Sequence, residues 1–234
     1  IFNEVGLENL FYISSGLALL AFVISLMITE SLENRNKFTF KLIKIKKNEI
    51  IDKDVLLPSI VMFLTASCAG VVFTITPDMG NYLDIENKGY FFGVYVSFTI
   101  VIRFLAGKFS DKWGRRRSIK LGVFLLGCAM LITGLAPNKT VYFIGAALYG
   151  ISTGIGSPTI FAWTADLSNP KHRGRGIGTM FIALEFGILF GTIICFNVYH
   201  DTKVSAEYTF IGGAIACFTA VLLLFIIKKD KPLS

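Results

Sequence analysis

The chain has 234 residues, of which 53% are hydrophobic and only 17% are charged, with a formal net charge of +7. Soluble globular domains carry about 25% charged residues, so this chain has too little polar surface to cover a soluble globule. A mean hydropathy of +0.64 also excludes a disordered chain, and the composition therefore indicates a membrane protein.

Seven apolar segments are long enough, or nearly so, to cross a bilayer, which requires about 20 mostly apolar residues. In chain order they are Leu10–Ile28, Val55–Pro77, Gly89–Gly107, Ile119–Ala136, Thr140–Ala165, Gly176–Tyr199 and Tyr208–Ile227. Their connections are short, except for one charged segment of 25 residues at 30–54. The sequence thus predicts an all-α, polytopic membrane helix bundle with seven transmembrane helices and the lipid bilayer as its main partner.

Lys and Arg residues are divided unequally between the two sides of this predicted bundle. If the spans alternate in direction, 20 of the 23 Lys and Arg residues share one side, and only Lys88, Lys139 and Lys203 lie on the other. Because cytoplasmic loops carry an excess of Lys and Arg, we expect a multi-pass protein of the cell (inner) membrane. Its C-terminus would be cytoplasmic and residue 1 external. The positive charge then reports topology, and no nucleic-acid partner is expected.

The segment between the third and fourth spans has a spacing that a topology signal alone does not explain. Gly107 and Gly114 stand on either side of Asp111, the one acidic residue among six flanking bases. Gly107 permits close backbone approach, and Gly114 supplies a turn conformation that other residues resist. Asp111 can pair with the neighbouring bases or face a helix N-terminus, where the dipole favours an anion.

This segment resembles the signature loop of the major facilitator superfamily, in which Gly, Asp, a base, Gly and three further bases stand at fixed spacing. The resemblance implies a conformational latch in which Asp111 faces a helix of the opposite half while Arg103 and Arg115 pair nearby. The residues assigned to this gating segment are Arg103, Gly107, Asp111, Lys112, Gly114, Arg115, Arg116 and Arg117.

The order of spans and loops also resembles part of that family, whose members have two six-helix halves joined by a long cytoplasmic loop. The resemblance implies that 1–29 is the last helix of the N-terminal half, 30–54 the central loop and 55–234 the C-terminal six-helix half. The chain's partner would then be the five missing helices of the N-terminal half. In the alternative frame, Val55–Ile227 is an N-terminal half with an extra leading helix.

Polar residues within the spans are candidates for binding a solute or a proton, or for lining a cavity. Glu185 lies near the bilayer midplane, where an ionisable group is costly, and could carry a proton or bind a cationic substrate, or could only tie helices together. Pro158 withdraws a backbone donor in the fifth span and invites a kink, as in the broken helices that line transporter cavities. The residues predicted to line a cavity are Thr65, Ser67, Tyr95, Thr153, Ser157, Trp163 and Asn197.

Two further patterns resemble family motifs less completely. Gly178, Gly187 and Gly191 have the glycine spacing of the family's antiporter motif, but the Pro and Gly pair that should follow are absent, so they indicate close helix packing. Asp166, followed by the basic segment 171–175, resembles the matching loop of the second repeat and is interpreted as part of a gate or as a topology signal.

The predicted function is secondary active transport of a small organic solute by alternating access, of an efflux or metabolite type, with Glu185 favouring proton coupling. A seven-helix receptor is the alternative, but the last span has no retinal Lys and no Asn-Pro motif, and no external Cys pair exists. No catalytic or metal cluster can be drawn, so the chain is not expected to be an enzyme or to need a cofactor. The four cysteines are interpreted as packing residues.

Overall fold

A computed structural model describes residues 7–28 and 51–227; most of the predicted loop 30–54 and the basic C-terminal tail lie outside these ranges. The described residues form helices and connecting turns without a strand, as the all-α prediction requires. Two units are distinguished, Ile1–Lys44 and Ile45–Ser234. The first contains helix α1, Leu7–Leu26. The second contains six long helices, namely α2 (Leu56–Tyr82), α3 (Gly89–Trp113), α4 (Arg115–Gly134), α5 (Lys139–Leu167), α6 (Arg173–Val198) and α7 (Lys203–Ile226).

Four of the described helices are long and apolar enough to cross a membrane: α2 together with the short helical turn before it, α4, α6 and α7. Helices α1 and α3 contain the shorter apolar stretches Phe11–Leu26 and Gly89–Leu105. Helix α5 is not in either group, because Gly, Ser and Thr residues interrupt its apolar sequence. The count of seven spans therefore stays a prediction, although a multi-pass membrane protein is well supported.

Several helices extend beyond the apolar segments that predicted them. Helix α3 ends at Trp113 rather than Gly107, and α2 continues through Pro77 to Tyr82. Apolarity marks the part of a helix that lies in lipid, whereas Lys and Arg are good helix formers that let the helix continue into water. Pro77 lies inside α2 with five residues after it, although proline cannot donate the helical hydrogen bond at its position.

Three of the described helical segments begin at side-chain caps. The Asp52 carboxylate accepts a hydrogen bond from the Asp54 backbone N–H (3.2 Å) at the turn before α2. The Asn138 side chain accepts one from the Val141 N–H (3.0 Å) at the start of α5. Thr202 and Ser205 form a reciprocal capping box at the start of α7. These bonds satisfy backbone donors that have no partner within the helix.

Glycines bring α2 and α6 into backbone contact. A Cβ atom on Gly187 would overlap the carbonyl oxygen of Phe63, and one on Gly191 would overlap that of Ser67. Gly70 of α2 faces the Ile188 carbonyl oxygen in the same way. The packing interpretation of the α6 glycines therefore holds for two of them, while a Cβ on Gly178 would meet nothing within 4 Å.

Helix α5 packs against both α3 and α4. A Cβ on Gly150 would overlap the Tyr95 carbonyl oxygen of α3, and Gly122 of α4 lies against Gly156. Helix α7 packs against α2 and α4. These close contacts leave a cavity where α2 to α6 surround a common space.

Candidate functional site

A cavity of about 140 Å³ lies among five helices of the second unit; we call it the central cavity. Its apolar wall includes Met62 of α2, Leu126 of α4 and Ile160 of α5. The polar side chains that line it are Thr65, Tyr95, Arg103, Tyr149, Ser152, Thr153 and Ser157. Four of the seven residues predicted to line a cavity are thus gathered here, namely Thr65, Tyr95, Thr153 and Ser157.

The hydroxyl groups of the central cavity fall into two sets. Thr65 donates to the Val61 carbonyl (2.9 Å), and Ser152 and Thr153 both donate to the Tyr149 carbonyl (2.8 and 2.9 Å). These three hydroxyls are therefore occupied within their own helices. For the hydroxyls of Tyr95, Tyr149 and Ser157, by contrast, no hydrogen-bond partner is found in the ranges 7–28 and 51–227.

Three other predicted lining residues lie elsewhere. Ser67 is buried between α2 and α6, where its hydroxyl donates to the Leu64 carbonyl (2.7 Å). Asn197 is near the far end of α6, and its amide donates to the Ile193 carbonyl (2.8 Å). Trp163 lines a separate groove of about 510 Å³ near the start of α4. Polarity alone suggested these residues, but the direction each faces is set by helix packing.

The signature segment is a helix–turn–helix whose turn is reduced to one residue. Helix α3 runs to Trp113, α4 begins at Arg115, and Gly114 between them has φ +93° and ψ 140°. A positive φ of this kind is strained for any residue with a Cβ, so glycine is the residue that fits. Gly107 lies within α3, and not at its end as the predicted span implied.

Arg115 joins three helices at this end of the unit. Its Nη1 lies 2.5 Å from the Asp111 carboxylate of α3, and its Nε lies 3.1 Å from the Asp166 carboxylate of α5. Nη1 also donates to the Ser110 hydroxyl (3.0 Å). We call Asp111, Arg115 and Asp166 the signature cluster. The predicted pairing of Arg115 beside Asp111 is present, whereas Arg103 lines the central cavity instead.

The bases that follow Arg115 have different surroundings. Arg116 donates to the carbonyl groups of Leu224 (3.0 Å) and Ile227 at the end of α7, and its guanidinium lies 5.9 Å from the Trp163 ring centre. A cation at these last carbonyls satisfies acceptors that the helix leaves free. Lys112 and Arg117 are exposed.

Asp52 and Arg175 form a contact that the sequence did not suggest. The Asp52 side chain is 2% exposed, and its Oδ2 lies 3.8 Å from Nε of Arg175 at the start of α6. The Asp52 backbone N–H donates to the Thr179 hydroxyl (2.9 Å). This contact fixes the segment that enters α2 against α6. Asp52 fell in the predicted loop, where nothing marked it as buried.

Glu185 lies near the middle of α6, twelve residues after its start, but it does not line the central cavity. The side chain is exposed beside apolar residues such as Ile182 and Phe186. Within the described part of the chain, no hydrogen bond or ion pair is found for its carboxylate. The position of Glu185 along α6 follows from the sequence, whereas the direction in which its side chain points could not be predicted from it.

Cys68 and Cys217 bring two thiols together in the core. Their Sγ atoms are 3.2 Å apart between α2 and α7, and Cys68 also donates to the Gly213 carbonyl (3.3 Å). All four cysteines are free thiols. Among the described residues, no group of three or more His, Cys, Asp or Glu side chains could hold a metal ion.

Long apolar helices packed through glycine contacts define a multi-pass membrane protein. The chain belongs to the major facilitator superfamily, whose family model matches residues 59–234.

Individual relatives agree with this assignment. The chain is 27% identical to multidrug resistance protein 1 of Bacillus subtilis over 73% of its length, which is 44% of that protein. It is 24% identical to multidrug resistance protein 2 of the same organism, covering 69% of this chain and 40% of that one. The inward-open xylose transporter XylE from E. coli matches with a TM-score of 0.64 and 18% identity, over 75% of this chain and 48% of XylE. The chain therefore spans less than half the length of these relatives.

Proposed function

We propose that this chain is part of a secondary active transporter that moves a small organic solute by alternating access. The observation that carries the proposal is the central cavity, because it lies among helices of a superfamily bundle and exposes the hydroxyls of Tyr95, Tyr149 and Ser157, for which the described residues provide no hydrogen-bond partner. Solute sites of transporters lie near the bilayer midplane between helices, and α5 with Pro158 contributes six residues to this cavity.

In this proposal, residues 1–29 are the last helix of the N-terminal half, 30–54 the central loop and 55–234 the C-terminal six-helix half. The first five helices would complete the protein. The distribution of Lys and Arg supports a cytoplasmic C-terminus in the cell membrane, with the seven helices all spanning it. Five further apolar spans in the upstream coding sequence, with another copy of the signature loop, would be expected; an in-frame stop codon there would contradict the assignment.

The signature cluster is proposed to act as part of the cytoplasmic gate. Arg115 can hold the ends of α3, α4 and α5 together through Asp111 and Asp166. Its carboxylate partners are 62% and 56% exposed, so each pair is easily exchanged for a new one. Such exchangeable pairs are suited to a contact that must open during every transport cycle.

Glu185 is proposed to carry the coupling proton. A carboxylate at mid-helix among apolar side chains is costly when charged, so protonation and deprotonation would change the free energy of one conformation relative to another. A second structural match, titled a D-xylose-proton symporter, is 16% identical with a TM-score of 0.65, and its title is in line with proton coupling. The Bacillus relatives, named multidrug resistance proteins, favour efflux as the direction.

Transport is tested with the complete protein, expressed from the coding sequence that includes the upstream helices, in proteoliposomes that carry a pH gradient. Three radiolabelled probes represent three solute classes: benzenesulfonate, phenyltrimethylammonium and D-xylose. We expect saturable movement of at least one probe above that of protein-free vesicles. If none of the three moves faster than in protein-free vesicles, the proposal is wrong for this chain.

Proton coupling is tested by Glu185→Gln, with Glu86→Gln as the matched control because Glu86 is exposed in a loop. We expect Glu185→Gln to abolish the response to the pH gradient while the control retains it. Unchanged transport and unchanged pH dependence in Glu185→Gln would eliminate Glu185 as the proton carrier.

A further inference from the structure

Among the described residues that line the central cavity, Arg103 is the one with a charged side chain. We propose that the cavity binds an organic anion whose charged group pairs with Arg103. This inference rests on the proposed transport function and adds the chemical class of the solute. It also moves Arg103 from the gate, where the family resemblance placed it, to the solute site.

Arg103 has an exposed side chain and lies four residues before Gly107, where the apolar stretch of α3 gives way to charged residues. At this position the guanidinium keeps access to water and can pair with an anion. Over residues 7–28 and 51–227, no ion pair or hydrogen bond of Arg103 is found. Asp111, the nearest acid downstream in α3, is held by Arg115.

The other available groups in the cavity complement an anion. Tyr149 is 4% exposed and lines the cavity, and its hydroxyl has no partner in the described part of the chain. The hydroxyls of Tyr95 and Ser157 are available in the same way, while Thr65, Ser152 and Thr153 are bonded to their own helices. No Asp or Glu is among the described residues that line the cavity. The site therefore offers one cation and three hydroxyl donors to a ligand rich in acceptors.

The size and apolar wall of the cavity define the rest of the ligand. A volume of about 140 Å³ is close to that of an engineered cavity, about 150 Å³, that holds benzene. The rings of Tyr95 and Tyr149 pack edge to face, with centres 5.2 Å apart, and Leu126 and Ile160 add aliphatic surface. An anion with one ring or a comparable apolar group fits this combination.

Binding is measured on the purified full chain in lipid nanodiscs with radiolabelled benzenesulfonate, an anion that stays charged at all working pH values. Competitors of the same ring size are benzenesulfonamide, which is neutral, and phenyltrimethylammonium, which is cationic. We expect benzenesulfonate to bind at least tenfold more tightly than either competitor. Arg103→Gln should weaken it about tenfold to a hundredfold, since hydrogen bonds to charged groups contribute on this scale.

Two variants control for charge and for folding. Arg103→Lys keeps the positive charge but loses the planar fork, so it should bind benzenesulfonate with an affinity between wild type and Arg103→Gln. Arg173→Gln removes one exposed positive charge at the start of α6, outside the central cavity, and should bind like wild type. Elution as a single species and an unchanged helical circular dichroism spectrum establish that each variant is folded.

Several results would overturn the inference. One is unchanged benzenesulfonate affinity in Arg103→Gln; another is equal or tighter binding of the neutral or cationic competitor by wild type. The second comparison needs no variant and so decides the matter even if Arg103→Gln fails to fold. Movement of phenyltrimethylammonium or D-xylose in proteoliposomes, without benzenesulfonate binding, would leave the transport proposal standing and remove the anion. Failure of all probes in both assays would remove both.

Discussion

Arg115 is the residue through which three helices meet, and its energetic role follows from its exposure. The Arg115 side chain is 30% exposed, and those of Asp111 and Asp166 are more than half exposed. Water and salt screen such pairs, so they contribute little to stability even when their geometry is good. Their value is positional: they link α3, α4 and α5 by contacts that break at low cost.

We expect a double-mutant cycle of Arg115→Gln and Asp166→Asn to give a coupling free energy of unfolding of about 0.2–1 kcal/mol, because exposed ion pairs fall in this range. Unfolding in mixed micelles containing increasing SDS measures it. Raising the salt concentration should reduce the coupling further. A coupling above about 2 kcal/mol, unaffected by salt, would show that the pair is a buried structural contact instead.

Gly114 is strained for any other residue. We expect Gly114→Ala to lower the free energy of unfolding by about 1–3 kcal/mol, because alanine at φ +93° adopts a sparsely populated backbone conformation. Gly93→Ala is the matched control, since Gly93 is helical in α3 and a Cβ there meets nothing within 4 Å. Thermal unfolding of the two variants compares them, and equal melting temperatures would refute the strain.

At the scale of helices, the glycines of α6 share one motif spacing, but only some of them are needed for helix packing. Gly191→Ala should destabilise the protein, because its Cβ would overlap the Ser67 carbonyl oxygen and α2 would have to move away. Gly178→Ala, in the same helix, should be neutral or stabilising by about 0.5–1 kcal/mol through helix propensity. Thermal melts of the two variants test this. If Gly178→Ala were the more damaging substitution, Gly178 would have a role beyond packing.

The existence and order of the helices could be predicted from the sequence, but the helix ends and the directions in which the side chains point could not. Hydrophobicity located each apolar segment, yet it ended α3 at Gly107, because it measures preference for lipid and not for helix. Ser67 and Asn197 are polar like Thr65, and only tertiary packing decides which of them faces the cavity. The Asp111–Arg115 pair was predictable because Arg115 follows Asp111 by four residues.

At the scale of the whole described unit, packing gives the helices two different roles. Helices α2 and α6 meet through glycine and backbone oxygen, as do α3 and α5, and both pairs border the central cavity. Helix α7 contributes none of the described lining residues and packs mostly through small buried residues such as Ala214 and Cys217, with Phe210 against Gly134. This division suits a bundle in which α7 supports the cavity walls and moves together with them.

A disulfide between Cys68 and Cys217 tests whether α2 and α7 move together. Their Sγ atoms are 3.2 Å apart, so a membrane-soluble oxidant such as copper phenanthroline should link them after a small shift toward the S–S bond length of about 2.05 Å. We expect linked protein in proteoliposomes to transport at the rate of reduced protein, because both helices belong to one moving body. Cys68→Ser, which cannot form the link, controls for oxidation elsewhere. Transport that stops on oxidation and returns with dithiothreitol, in wild type but not in Cys68→Ser, would show that α2 must separate from α7 during the cycle.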